Sequence, residues 1–283
     1  MYFYKNYKTL KKSLTFLFIF AICNIANAQY YYKDILSNKQ ITTDLNTYKE
    51  NKVRKISVKS FEDNGLESEG FFCEKKISKN YKSSELFTRS NFSYASIFSA
   101  NYDQVGKLLN TYDSSELSIT EIRYSYNDKN QISSVLSSIR SRDEDFENGI
   151  TEEHIYNYEN NVVANMQKVK NGKDTVVILF TTDENGNITL EKDTKNASKF
   201  YYYYDKKNRL TDIVPETEYT KTLKPDYVFE YNNANQITQM TSVEEGSSHY
   251  FVWKYSYENG LRTKERCFSD ERRLMGSITY EYK

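Results

Sequence analysis

The sequence predicts an all-β protein in which repeated β-hairpins form an antiparallel meander and one long, curled, open sheet. Three observations lead to this prediction. The chain has 27 tyrosines but only two prolines and nine glycines, and aromatic residues favour strands over helices. Aromatic and polar side chains alternate along several segments, as expected for strands with one packed face. A hairpin-like phrase, complete in "YYYYDKKNRLTDI" at residues 201–213, also recurs along the chain.

The recurring phrase places one residue, the anchor, directly before a turn rich in Asp, Asn, Gly and Lys. The anchor is Tyr204 in "YDKKNRL" and Tyr231 in "YNNANQI". Such turn residues tolerate left-handed backbone angles and bond their own backbone. Successive anchors lie about 25 residues apart, which indicates an internal repeat. The predicted anchors are Phe61, Tyr102, Tyr126, Tyr158, Thr182, Tyr204, Tyr231, Tyr257 and Tyr282.

An aliphatic residue follows each turn, and in some units a second one comes three places later, as Leu210 and Ile213 show. An odd spacing changes face on a regular strand. We therefore expect either a β-bulge there, or a first aliphatic residue that sits on the turn and folds back over the tyrosine. We expect about sixteen strands, with the aromatic column on the concave, better-packed face of a sheet that curls.

The repeat domain spans residues 53–283, and three segments of the chain do not follow the repeat pattern. Residues 29–52 lack the alternation of aromatic and polar side chains. They are therefore predicted to form either a short capping helix or a disordered lead-in. The stretches 77–90 and 139–149 are polar and are predicted to be loops. No Pro- or Gly-rich linker divides the chain, so we expect one folded domain.

Residues 1–28 are predicted to be a secretory signal peptide. A lysine-rich start precedes the apolar run "LTFLFIFAICNIA", and "ANA" fits a cleavage site before Gln29. An acylated Cys23 is the alternative. The mature chain would carry 35 basic and 39 acidic residues, which gives no electrostatic footprint for nucleic acid. It has no further apolar stretch of transmembrane length. We therefore expect a periplasmic, cell-surface or secreted protein.

Two cysteines remain in the predicted mature chain, Cys73 and Cys267. Counted along regular strands from Leu66 and Leu261, they fall on opposite faces. In an open sheet they would also lie roughly 65 Å apart, whereas a disulfide needs Cα atoms within about 7 Å. We predict two free thiols that behave as small apolar residues.

The sequence contains no motif for catalysis, a metal or a cofactor. His154 and His249 have no neighbours at metal-ligand spacing and are interpreted as ordinary sheet residues. "DENGN" at 183–187 resembles a calcium loop but lacks the downstream glutamate, so a hairpin turn is favoured. Asp and Glu are abundant enough for a glycosidase-type pair, which the sequence does not place.

One stripe of alternate residues is the candidate binding strip. It contains the only tryptophan. If exposed, it could stack on sugar rings or bind an apolar partner. The same register is aromatic in nearly every repeat, which favours burial in the core instead. The strip consists of His249, Phe251, Trp253, Tyr255 and Tyr257.

"YDKKNRLTDI" and "YDQVGKL" resemble the YD repeats of RHS-type proteins, over about residues 53–283. The resemblance implies antiparallel hairpins in a long curving sheet, at a cell surface or secreted, and implies no activity. Large members carry a toxin after the repeats, but this sequence ends within a repeat strand, so we expect none. The Asn-, Lys- and Tyr-rich composition and the "NAQ" site also resemble secreted proteins of Bacteroidetes-type bacteria.

These observations predict an exported, non-enzymatic binding or scaffold module whose partner is an unknown protein or glycan of the envelope. The first alternative is a carbohydrate-binding module that uses the strip, and the second is an extracellular hydrolase. Solvent exposure of Trp253 would separate the scaffold module from the carbohydrate-binding module. A carboxylate pair in a deep cleft would favour the hydrolase.

Overall fold

The computed structural model describes residues 29–91, 93–143, 149–218, 222–244 and 249–283. The predicted signal peptide lies outside these ranges. Within them, eighteen strands form one antiparallel sheet in which each strand pairs with the next along the chain. The strands are β1 Lys55–Glu62, β2 Phe72–Ile77, β3 Ser83–Ser90, β4 Ser93–Tyr102, β5 Leu108–Ser114, β6 Ser118–Tyr126, β7 Ile132–Ser141, β8 Ile150–Glu159, β9 Val162–Lys170, β10 Asp174–Thr182, β11 Ile188–Asp193, β12 Lys199–Tyr204, β13 Leu210–Glu216, β14 Tyr227–Tyr231, β15 Ile237–Val243, β16 Tyr250–Glu258, β17 Leu261–Ser269 and β18 Leu274–Tyr282.

The sheet closes into a barrel, because β1 pairs with both β2 and β18. Ile56 of β1 lies opposite Lys75 on one side and opposite Tyr282 on the other. The predicted antiparallel meander is confirmed, but the predicted open sheet is wrong. Closure gives every strand two hydrogen-bonded neighbours and removes the exposed edges of an open sheet.

A β-bulge stands beside seven of the repeat turns. Tyr203 lies opposite Asp212 and Tyr204 opposite Leu210, which leaves Thr211 as the extra residue. The bulge turns Ile213 to the same face as Leu210, and the two are 0% and 9% exposed. This confirms the bulge alternative for the odd aliphatic spacing. Equivalent register shifts precede Tyr102, Tyr126, Tyr158, Thr182, Tyr231 and Tyr257.

The anchor tyrosines link each hairpin to the one before it. The Tyr204 hydroxyl donates to the carbonyl oxygen of Ile188 at 2.8 Å, and the Tyr231 hydroxyl donates to that of Leu210 at 2.7 Å. The two tyrosines therefore occupy equivalent positions on the inner face, as the repeat predicts. The same contact joins Tyr126 to Leu108, Tyr158 to Ile132, Tyr257 to Ile237 and Tyr282 to Arg262.

The predicted anchor Phe61 is wrong. It lies on β1, which runs opposite to the strands that end in the other anchors. Ile77, at the end of β2, occupies the anchor position, 25 residues before Tyr102. The stretch 77–90 is correspondingly a turn followed by β3, and not a loop. The first unit has Ile77 instead of an aromatic residue directly before its turn, so the repeat pattern does not reveal its anchor.

Both cysteines are free and buried. Cys73 lies opposite Val58, and Cys267 lies opposite Gly276. Both face the barrel interior, so the predicted opposite faces are wrong: the count ignored the bulge after Leu261, and Leu66 lies outside the strands. Closure also separates the cysteines by three strand spacings, about 14 Å across the sheet. That is far less than predicted, but still beyond disulfide reach.

The outer face of the barrel carries charged side chains. Ion pairs join Lys55 to Glu74 at 2.6 Å and Lys199 to Glu216 at 3.0 Å across neighbouring strands. Polar residues alternate here with the inward-facing core, which accounts for the low hydrophobic content of 38%. In the part of the chain that the structure describes, neither helical element has the length and apolar character of a membrane span.

Residues 29–50 form a helical segment inside the barrel, which we call the inner helix. It comprises a π-helical turn, Tyr31–Leu36, and helix α1, Ser37–Glu50. The segment contacts inward-facing residues of strands spread around the barrel. These contacts join Asn38 to Tyr126, Asp34 to His154, Tyr31 to Tyr202 and Tyr48 to Tyr282. The amino-terminal part of the segment lies in the interior, and the last turns of α1 lie at the turn end, where Asn46 and Thr47 are next to Gly106 and Gly260.

The inner helix is tilted with respect to the barrel. Asn38 and Tyr48 contact the anchors Tyr126 and Tyr282, at the end where the repeat turns lie. The π-helical turn contacts residues deeper in the wall. Residues 29–52 are thus largely helical, as one of the two alternatives predicted, but they lie within the barrel instead of covering the edge of a sheet.

Candidate functional site: the buried polar cluster at the deep end of the inner helix

A histidine between two carboxylates joins the inner helix to β8. His154 Nδ1 is 2.5 Å from Asp34 Oδ2, and His154 Nε2 is 2.9 Å from Glu152 Oε1. The Tyr156 hydroxyl also donates to Asp34 Oδ2, at 2.6 Å. His154 and Asp34 are each only 7% exposed. We call Asp34, Glu152, His154 and Tyr156 the latch, because they tie the helix to the wall.

A second buried carboxylate receives the first turn of the inner helix. Glu191 of β11 is 0% exposed. Its Oε1 accepts the Tyr30 N–H at 3.1 Å, and its Oε2 accepts the Tyr31 N–H at 3.0 Å and the Tyr202 hydroxyl at 2.9 Å. The first N–H groups of a helix lack intrahelical partners, and negative charge is favoured there. Glu191 therefore caps the helix from the barrel wall.

Residues 29 and 30 connect these two groups. The Tyr30 ring meets the His154 ring edge-on with centroids 4.8 Å apart, and the Tyr30 hydroxyl accepts a hydrogen bond from Lys168 Nζ at 2.8 Å. Gln29 Nε2 donates to Asp226 Oδ2 at 3.0 Å. Strands β8, β9, β11 and β12 and the residue before β14 thus converge on the start of the helix.

Burial and charge shift the pKa values of two residues in this region. Burial alone lowers the pKa of His154, but the charges and hydrogen bonds of Asp34 and Glu152 outweigh burial and raise that pKa to about 9. The latch therefore holds an imidazolium between two carboxylates at neutral pH. Burial raises the pKa of Glu191 to about 7, against the opposing effect of its three hydrogen bonds.

The polar groups of the cluster are engaged within the chain itself. A general base must reach a substrate proton directly or through one water, whereas both ring nitrogens of His154 and both oxygens of Glu191 contact the chain itself. Within the described ranges, no three His, Cys, Asp or Glu side chains are grouped so as to hold a metal ion.

A smaller charged cluster lies on β16 to β18, near the turn end. Arg262 Nη1 and the Tyr280 hydroxyl donate to Glu265 Oε1 at 2.9 and 2.5 Å. The Arg262 guanidinium lies over the Tyr255 ring, 4.3 Å from its centroid. A cation over an aromatic face is stabilised further when water is excluded. This cluster reinforces the wall close to the end of the inner helix.

The predicted binding strip forms part of the inner wall. Trp253 is 6% exposed. Phe251 and Tyr255 pack against the core, and Tyr257 makes the anchor contact with Ile237. His249 is exposed outside this core, with Nδ1 2.6 Å from Asp270 Oδ2. The strip is therefore not an exposed stacking platform, and the other tyrosine anchors likewise point inward as structural residues.

The repeat pattern does not predict the cluster, although two positions in the sequence indicate it. Glu191 stands three places after Ile188, where Val135, Ile213 and Met240 stand in other repeats. His154 stands four places before its anchor, where other repeats have Phe200, Tyr227, Trp253 or Ile278. Polar residues in otherwise apolar columns of a repeat mark positions that serve another purpose.

No protein-family model matches the chain, and no curated protein matches its sequence. Several solved structures are distantly similar, among them the following three. A porin-like protein from Bacteroides uniformis is 10% identical, over 82% of this chain and 98% of that one, with a TM-score of 0.37. TcdB2-TccC3 without its hypervariable C-terminal region is 13% identical, over 78% of this chain but 11% of that one, with a TM-score of 0.34. A putative 6-phosphogluconolactonase from Bacteroides fragilis is 9% identical, over 81% and 98%, with a TM-score of 0.18. Scores this low assign neither a family nor a function.

Proposed function

We propose that the protein is an exported, non-enzymatic binding or scaffold module of the bacterial envelope or exterior. The observation that carries this proposal is the use of the barrel interior. The chain's own helix lies inside, and the buried histidine and carboxylates of the deep cluster engage each other, the wall and the helix. The outer face and the two barrel ends are then the surfaces open to a partner.

The turn geometry supports the resemblance to YD repeats. Asp205 Oδ1 accepts the backbone N–H groups of Lys207 and Arg209 at 2.8 and 3.1 Å. Asp103 and Asp183 make the same pair of contacts in their turns. The aspartate after the tyrosine thus shapes the turn, and the tyrosine joins neighbouring hairpins. A motif with these two structural roles fits a scaffold and requires no catalytic activity.

One apolar patch on the outer face is the surface that we propose contacts a partner protein. Phe72, Phe87 and Ile97 lie on the neighbouring strands β2, β3 and β4, and the rings of Phe72 and Phe87 are 5.8 Å apart. The guanidinium of Arg89 lies 5.8 Å from the Phe72 ring centroid. Adjacent exposed aromatic and arginine side chains are typical of protein contact surfaces.

The test is affinity capture from the native envelope, with the exported chain as bait. We expect a defined protein partner for the wild type and loss of that partner when Phe72→Ser and Ile97→Ser are combined. The control is Leu179→Ser, which removes another exposed apolar side chain on β10 and should leave capture unchanged. A partner retained by the double variant would contradict the proposed surface. Capture of glycan alone would favour the carbohydrate-binding alternative.

Export is tested separately by the mass of the purified protein. We expect an amino terminus at Gln29. An acylated Cys23 would instead indicate a lipid-anchored protein, and retention of residues 1–28 would contradict export by a cleaved signal peptide.

A further inference from the structure

Glu191 is a fully buried carboxylate whose three contacts are all with uncharged donors: two backbone N–H groups and the Tyr202 hydroxyl. In the described ranges, the nearby cations are engaged elsewhere. His154 lies between Asp34 and Glu152, and Lys168 binds the Tyr30 hydroxyl. A buried carboxylate without a cationic partner is costly, and burial accordingly raises its pKa.

Residue 29 lies next to this carboxylate. Its backbone nitrogen is one residue before the Tyr30 N–H that Glu191 accepts. Gln29 is only 7% exposed, and its carbonyl oxygen accepts the Lys33 N–H at 2.9 Å. The nitrogen of Gln29 therefore stands at the start of a helix inside the barrel, beside a wall glutamate.

We propose that the barrel interior is a seat for the α-ammonium group that cleavage before Gln29 creates, with Glu191 as its counter-ion. The inference rests on the proposed export. Water splits the Ala28–Gln29 amide bond, so that Ala28 keeps a carboxylate and Gln29 gains an amine. That amine binds a proton near neutral pH. Processing then replaces an uncharged amide with a cation beside the buried carboxylate and stabilises the folded barrel.

The Gln29 side chain contributes to this seat. An amino-terminal glutamine can cyclise, a reaction in which the amine displaces ammonia from the side-chain amide and leaves an uncharged lactam. In the structure the amide nitrogen of Gln29 donates to Asp226 at 3.0 Å. That contact holds the side chain in the wall and keeps the amine available to Glu191. The seat therefore requires an uncyclised Gln29 in the mature protein.

The first experiment measures the reactivity of the α-amino group in the exported, processed protein. Reductive methylation near pH 7, read by mass at the amino-terminal peptide, should be at least about tenfold slower in the folded protein than in concentrated urea, because a buried ion-paired amine is shielded. In Glu191→Gln the protection should fall. A free amine that reacts equally fast folded and unfolded would overturn the seat while leaving export intact.

The second experiment displaces the amine. Ser-Gly is inserted between Ala28 and Gln29 in the full chain, and mass spectrometry identifies the new amino terminus. The thermal midpoint should fall by about 3–6 °C in the wild-type background, and by much less in Glu191→Gln. An equal fall in both backgrounds, or a fully cyclised Gln29 in the native protein, would overturn the seat. Retention of residues 1–28 would overturn both the seat and the proposed export.

Discussion

The tyrosine column and the latch stabilise the same barrel in different ways. In the column, one neutral contact recurs from hairpin to hairpin, as Tyr204 with Ile188 and Tyr231 with Leu210 show. The latch occurs once, is charged, and joins Asp34 to His154 across 120 residues of sequence. The wall therefore depends on many small, equivalent contributions, whereas the position of the inner helix depends on a few large ones.

The largest effect is expected at Asp34. Asp34→Ala removes the counter-ion of a buried imidazolium and the acceptor of the Tyr156 hydroxyl. Breaking a buried ion pair from one side costs about 3–5 kcal/mol, which urea unfolding measures. Lys39→Ala, on the exposed face of the same helix, should cost less than about 0.5 kcal/mol. A loss below about 1 kcal/mol for Asp34→Ala would show that the latch does not hold the helix.

The next largest effect is expected in the pH dependence of stability, to which the charged latch contributes. The pKa of His154 is about 9 in the folded protein and 6.5 ordinarily. A raised pKa contributes stability that is fully present below pH 6.5 and is lost as the pH rises through 9. The shift corresponds to about 3 kcal/mol.

In the uncleaved chain, the raised pKa of Glu191, about 7 against an ordinary 4.5, acts in the same direction at lower pH. The charged groups around His154 are Asp34 and Glu152, with Lys168 and Lys170 near Glu152. Urea unfolding from about pH 6 to about pH 9 should therefore show falling stability, and His154→Gln should flatten the upper part of that curve. A wild-type curve that is level over this range would contradict the charged latch.

Smaller effects are expected in the column. Tyr204→Phe and Tyr231→Phe each remove one hydroxyl from a neutral contact, so each should cost about 1 kcal/mol in urea unfolding. Tyr202→Phe should cost more, about 1.5–3 kcal/mol, because the hydroxyl of Tyr202 donates to the buried carboxylate of Glu191. A Tyr202→Phe loss no larger than the loss at Tyr231 would contradict the distinction between the two regions.

The column could be predicted from the sequence because its determinants are local and repeated. Tyr204, Asp205 and Leu210 fix a turn, a bulge and an inward face within one hairpin, and the period carries that interpretation along the chain. Closure could not be predicted in this way. The pairing of β1 with β18 depends on residues at opposite ends of the repeat domain. Phe61 also precedes a turn-like sequence, which led to its incorrect prediction as an anchor.

Only the wall residues of the site could be predicted from the sequence. Glu191 and His154 break apolar columns, which marks them as unusual. Their partners Asp34 and Tyr30, however, lie in a segment without repeat periodicity, and nothing local indicates that this segment turns into the barrel. The repeat pattern therefore predicts the strands of the barrel wall but not the position of the helix inside the barrel.

The smallest effect on stability is expected on the outer face. A charged pair there resembles the pair in the latch but is not buried. Lys199 Nζ lies 3.0 Å from Glu216 Oε1, and the two side chains are 30% and 33% exposed. Exposed pairs contribute about 0–1 kcal/mol because water and salt screen them. A double-mutant cycle with Lys199→Met and Glu216→Gln should give a small coupling energy that shrinks further in high salt. The matching cycle with Asp34→Asn and His154→Gln should give a larger coupling that salt changes little, because water is excluded from that pair. Equal couplings in the two cycles would mean that burial does not distinguish the latch from the surface pair.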